Sequence, residues 1–195
     1  MRDYWCRYHI AIGHVTRVRY GFTLLELLIT IALISVLYAI AVPLVRSIHD
    51  DCCLKAAVLE ITEMIKEGRL NAQGEKYYAV GFTPASGRVA LISDRGPDGQ
   101  WNTNDDTVIR SFTLPSNGAE LKFGYGSHGP LPKRGADADG VTFQNNNTLI
   151  CNPELTGSSG AVYLIARSGS ARAILVNSTD FEWTVWRWEG KWVMQ

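Results

Sequence analysis

Residues Phe22–Val45 read FTLLELLITIALISVLYAIAVPLV, 24 positions that hold one carboxylate, Glu26, and no lysine or arginine. As a helix rising about 1.5 Å per residue this run reaches roughly 36 Å, more than the ~30 Å hydrocarbon core of a bilayer. Before it lie Arg2, Arg7, Arg17 and Arg19 against one acid, Asp3. Positive charge stays cytoplasmic, so the chain beyond the run is expected to be exported. Glu26 is the anomaly, because a carboxylate inside an apolar membrane helix costs about 2.5 kcal/mol or more without a partner.

The rest of the composition narrows the field. The chain has 195 residues, 46% of them hydrophobic, with 19 basic and 19 acidic residues in balance. Such a chain folds, and it lacks the basic excess of a wholesale polyanion binder. Four cysteines are too few for a disulfide-built scaffold.

Past Pro43 the pattern changes without stopping. Leu54, Val58, Ile61 and Ile65 recur at intervals of three and four, while Asp50, Asp51, Glu60, Glu63, Lys66 and Glu67 take the other faces. This is an amphipathic helix whose stripe packs on its own domain, ending at Gly68 or Gly74. From Tyr77 the period becomes two. Strands are expected at 77–82, 88–93, 107–114, 120–125, 148–151, 161–166, 171–177 and 182–188, punctuated by turn residues. No crossover helices separate them, so the sheets should be antiparallel and the class α+β.

The string Gly21-Phe22-Thr23-Leu24-Leu25-Glu26 resembles the processing site of type IV prepilins and of type II secretion pseudopilins. The resemblance implies a leader, residues 1–21, removed by prepilin peptidase with a cut after Gly21 and N-methylation of Phe22. Residues 22–45 then remain as membrane anchor and filament core, bent at Pro43, with 46–74 continuing the helix and 75–195 forming a β-rich periplasmic head. Glu26 would pair with the α-amine of a neighbouring subunit's Phe22 and so set axial register. The head is similar to H-type minor pseudopilins and to related minor pilins, most visibly in GAVYLIARSGSARAILVNS (Gly160–Ser178). Implied partners are other pseudopilins, the peptidase, an inner-membrane assembly platform and secreted cargo.

Two further readings stand beside this one. Removing residues 1–21 takes four arginines and one aspartate, leaving 15 basic and 18 acidic residues, a net of −3. Some minor pilins bind DNA through a basic C-terminus, and here Arg187 and Lys191 lie among Trp183, Trp186, Trp188 and Trp192. Those cations are countered by Asp180, Glu182 and Glu189, so nucleic acid is not the expected partner. The other reading is a secreted calcium-binding β-domain behind an ordinary signal cut after Ala39-Ile40-Ala41.

Calcium enters through the loop 94–106, DRGPDGQWNTNDD, where Asp94, Asp98, Asn102, Asp105 and Asp106 offer hard oxygen ligands around glycines. The alternative is a hairpin loop capped by its own side chains. Asp137 and Asp139 before Gly140 form a second, weaker acidic turn. Cys52 or Cys53 could oxidise with Cys151 if the strand bearing it packs on the helix; otherwise the thiols are free and small. No nucleophile elbow or phosphate loop occurs, so no catalytic residue is expected.

Overall fold

The computed structural model describes residues 21–74, 76–115, 119–132, 135, 137–154, 156–178 and 180–195. The leader reading therefore lies outside the described residues except for Gly21. The chain divides into two compact units between Ala41 and Val42.

Helix α1 (Leu24–Asn71) contains Pro43. Proline has no N–H for the carbonyl of Ala39, so one rung of the helical ladder is missing beside the division between the units. In the first unit the helix is apolar on every side and exposed along its length, from Leu24 at 77% to Ile40 at 67%. In the second, one stripe is buried: Leu54, Val58, Ile61 and Ile65, as the spacing predicts, joined by Asp50, Ala57, Thr62, Met64 and Gly68.

Two antiparallel sheets receive that stripe. Strands β1 (Tyr78–Thr83), β2 (Arg88–Asp94), β3 (Thr107–Thr113) and β5 (Thr148–Cys151) form the first, ordered β3-β2-β1-β5. Strands β4 (Lys122–Phe123), β6 (Gly160–Ile165), β7 (Ala171–Val176), β8 (Trp183–Trp188) and β9 (Trp192–Met194) form the second, ordered β4-β6-β7-β8-β9. Alternate residues face the helix, Val80 and Phe82, Val89 and Leu91, Val162 and Leu164, Ile174 and Val176, and they join its stripe in one core.

The opposite sheet faces are also covered. Tyr163, Ala173 and Leu175 lie under Leu131 and Trp192, and Ala79, Ala90 and Ile92 lie under Trp101. This double coverage is why β7 reads as a continuous buried run in place of an alternation.

The strands differ from expectation at two places. The run 120–125 pairs only through Lys122 and Phe123, because Glu120 (φ 44°) and Gly124 (φ 132°) leave the extended region on either side. Strand β9 was not anticipated; it is three residues returned on β8 by the turn at Gly190 (φ 76°), with Trp188 opposite Trp192. At residues 145–147 three consecutive asparagines take left-handed backbone angles, a conformation their short polar side chains tolerate better than most.

Candidate functional site

At the N-terminal segment, the helix start is built by its own residues. Thr23 Oγ1 accepts from the backbone N–H of Glu26 at 3.2 Å, and the Thr23 carbonyl accepts from Leu27 N–H at 3.1 Å. Thr23 is thus the N-cap, and Thr-x-x-Glu has the spacing of a capping box, with the acid at the positive end of the helix dipole. Glu26 is fitted to a helix start before any second subunit is invoked. Sequence reading passed over Thr23, although the three-residue spacing to Glu26 was the signal.

Gly21 and Phe22 precede that cap. A Cβ built at Gly21 would meet nothing within 4 Å, so packing within the chain does not require glycine there. Phe22 is 80% exposed. Behind them the helix offers an 18-residue window of mean hydropathy 2.6 with none of it buried. Side chains of this kind need an apolar surrounding that the first unit does not provide for itself.

The loop 94–106 is organised by its own carboxylates. Asp94 accepts from Gly96 N–H (3.1 Å) and Asp98 from Gln100 N–H (2.7 Å). Asp106 accepts from Thr103 N–H (2.9 Å), and Asp105 from the Thr103 hydroxyl (2.6 Å) and Asp98 N–H. The Thr103 hydroxyl foremost, with the Asp98 N–H, holds the Asp105 carboxyl below the usual carboxylate range.

Asn102, expected among the calcium ligands, is committed elsewhere. Its Nδ2 donates to Phe82 O (2.9 Å) and to Asn146 O (3.0 Å), while Asn146 Nδ2 donates back to Asn102 O (3.0 Å). The clasp needs Gly81, where a Cβ would stand 2.7 Å from Asn102 Oδ1. It also holds Trp101 over the outer face of the first sheet. Among the described residues no three His, Cys, Asp or Glu side chains are placed to share a metal ion. In the second acidic turn Asp139 accepts from Val141 N–H and from Asn147 Nδ2.

The proposed disulfide is corrected by position. Cys151 on β5 packs against Gly68, where a Cβ would lie 3.2 Å from its sulfur. Gly68 follows Cys53 by fifteen residues, about 22 Å along the helix, far beyond the reach of a disulfide. All three thiols are free: Cys52 exposed, Cys53 half-buried with its sulfur 3.8 Å from His49 Nε2, and Cys151 buried. Burial pushes the Cys151 thiol up to about 12, against a smaller opposing effect of Arg69.

An ion cluster that sequence reading missed lies where α1 meets the second sheet. Arg172 on β7 is 3% exposed and donates to Asp51 Oδ1 at 3.0 Å. Arg187 is the cross-strand partner of Arg172, a like-charge pairing that destabilises a ladder unless compensated. Asp51 compensates it, with Arg187 Nε at 3.9 Å and Lys55 Nζ at 3.4 Å. Burial works to raise the Asp51 carboxyl, but Arg172, Arg187 and Lys55 together hold it below its ordinary value.

At the C-terminus Arg187 and part of the tryptophan cluster are engaged within the head, while Lys191 is exposed. Arg187 also pairs with Glu189 at 3.2 Å, and Trp192 packs edge-on against Trp188 and Tyr163 in the outer apolar cluster. His128 stacks on Trp188 at 4.5 Å, with its Nε2 2.7 Å from Gly169 O.

Comparison with known proteins places the N-terminal segment. Residues 16–42 match the model of the prokaryotic N-terminal methylation motif. No curated protein sequence matches the chain. Among solved structures, the minor pseudopilin EpsH from the type 2 secretion system of Vibrio cholerae aligns with TM-score 0.40 and 11% identity, covering 69% of this chain and 94% of that one. At that score no residue is carried from one protein to the other. The N-terminal segment thus carries a match to the prokaryotic N-terminal methylation motif, and the matched residues include Gly21, Phe22, the Thr23 cap and Glu26.

Proposed function

We propose that this chain is a minor pseudopilin of the H-type, a structural subunit of a type II secretion pseudopilus and not an enzyme. Prepilin peptidase cuts the Gly21–Phe22 bond and the new amine of Phe22 receives one methyl group. Residues 22–45 hold the product in the inner membrane with the head in the periplasm. The same helix later packs among those of other pseudopilins on an assembly platform, with Glu26 facing a neighbouring subunit's Phe22 amine.

The carrying observation is the order of features inside the matched motif. A glycine that packing does not demand is followed at once by a capped helix whose first turns, Leu24–Ile40, expose their large apolar side chains. A secretory signal is apolar before its cut and is discarded, whereas here the apolar run follows the cut and is retained. The H-type assignment rests on the resemblance of Gly160–Ser178, which forms the β6–β7 pair of the second sheet.

The test is intact mass and N-terminal fragmentation of the protein recovered from its native membranes. A chain beginning at Phe22 with one added methyl supports the proposal. A chain beginning at Val42 overturns it and returns the head to the class of free exported domains. Glu26→Ala then isolates the register role: membrane insertion should persist while assembly is lost.

A further inference from the structure

Where the apolar run ends, α1 and the β6–β7 turn enclose a cleft of about 570 Å³ lined by Val45, Arg46, His49, Asp50, Arg167 and Ser168. Val45 is the last apolar residue of the run, and Arg46, His49 and Asp50 follow it directly along the sequence. From Val45 to Asp50 the helix rises roughly 7.5 Å. The polar headgroup layer on each side of a bilayer is about 5–7 Å deep. A phosphate layer that begins where the apolar run ends thus meets the chain positions Arg46 to Asp50.

Its charges suit an anion. Asp50, the acid in the wall, is 5% exposed, and its Oδ2 is taken by the Ser168 N–H at 3.1 Å. The His49 ring stands 3.8 Å from the other Asp50 oxygen, with its side chain 59% exposed. Arg46 is exposed and has no acidic partner among the described residues. Arg167 gives one guanidinium nitrogen to Glu120 at 3.0 Å, but its side chain is 70% exposed, and exposed pairs of this kind are weak. Its remaining donors are uncommitted in geometry.

We propose that this cleft seats the phosphate headgroup of an anionic phospholipid, with Arg46 and Arg167 donating to phosphate oxygens and the acyl chains beside Val45. Cations at a membrane surface favour anionic lipid by about fivefold each, so two of them give clear selectivity over a zwitterionic lipid. Arginine suits the role because its planar fork meets phosphate oxygens in pairs. The consequence is a lipid preference carried by the head next to the anchor. The proposal rests on residues 22–45 being a membrane anchor.

The full-length protein, purified in detergent and reconstituted into vesicles, tests both layers separately. Co-flotation with phosphatidylcholine vesicles reads the anchor. Spin-labelled phosphatidylglycerol and phosphatidylcholine, compared by electron paramagnetic resonance, read the cleft. The wild type should prefer phosphatidylglycerol by about fivefold or more, and R46Q/R167Q should fall to within twofold of no preference. E120Q, which releases Arg167, should raise the preference. Equal preference in wild type and R46Q/R167Q overturns the cleft, as does an E120Q protein with unchanged or lower selectivity. A protein that does not float with phosphatidylcholine overturns the anchor and the cleft with it.

Discussion

Helix α1 contains two apolar surfaces that differ in kind. Over residues 24–45 nearly every position is apolar, and apart from the half-exposed Val42 the large side chains are 51–77% exposed. Over residues 54–68 apolar positions form one stripe and are almost fully buried, Leu54 and Ile61 at 0% and Ile65 at 1%. A stripe needs one surface, and the domain supplies it. A helix apolar all round needs a medium on every side, which a bilayer or a bundle of like helices supplies and a single sheet face does not. The difference is one of packing: the second half builds the head's core, and the first half finds no such core within the described residues.

The sharpest way to break this contrast is at the boundary of the first half. Gly21→Val should leave the protein uncut, seen as a precursor mass in place of a chain starting at Phe22, with the thermal unfolding of the head unchanged. Processing at the same bond in that variant would remove glycine from the recognition argument.

Next come paired truncations within α1. Ile61→Ala should cost about 2–5 kcal/mol in denaturant unfolding of the full chain in mild detergent, because the cavity opens in a packed core. Leu33→Ala, at a site 61% exposed, should stay within about 0.5 kcal/mol in the same assay. Equal losses at the two sites would abolish the distinction between the two halves.

Asp51 tests how the stripe is locked on its sheet. Asp51→Ala leaves the buried Arg172 without its carboxylate and should cost about 3 kcal/mol. The pH dependence has a definite sign. The folded Asp51 carboxyl sits below its ordinary value, so its contribution is complete above the unfolded value of about 3.9 and is lost as pH falls through the lower folded one. Asp105 shifts in the same direction, so the comparison is with Asp51→Asn, whose unfolding should be flatter than wild type in the acid range below about pH 4.

The smallest effect is chemical. Cys52 should alkylate at once at neutral pH, whereas Cys151, buried and pushed up to about 12, should react only as the head unfolds. Early labelling of Cys151 would mean that the helix end at Gly68 opens more readily than its packing implies.

Much of this was legible from residues alone, for reasons that can be named. The stripe Leu54, Val58, Ile61 and Ile65 follows from the helical period, and the paired strands around Gly160–Ser178 follow from period two with turns between. What escaped reading was non-local. Arg172 meets Asp51 across 121 residues, and the Asn102–Asn146 clasp closes across 44. No periodicity links such positions. Asn102 ties the loop 94–106 to Phe82 and Asn146, and Arg172, unremarkable in sequence, is the buried cation beside Asp51 of the helix.

The sequence by itself determined that residues 22–45 seek an apolar surrounding, that a Gly21-Phe22 string opens them, and that one helix continues into a head of short strands. These depend on local composition and period, which any window of the chain contains. Only the tertiary structure decided the division into two sheets, the distance between Cys53 and Cys151, the self-capped state of the loop 94–106, and the cleft that brings Arg46 to Arg167. Each of these depends on which surfaces meet when the core closes, and chain order does not record that.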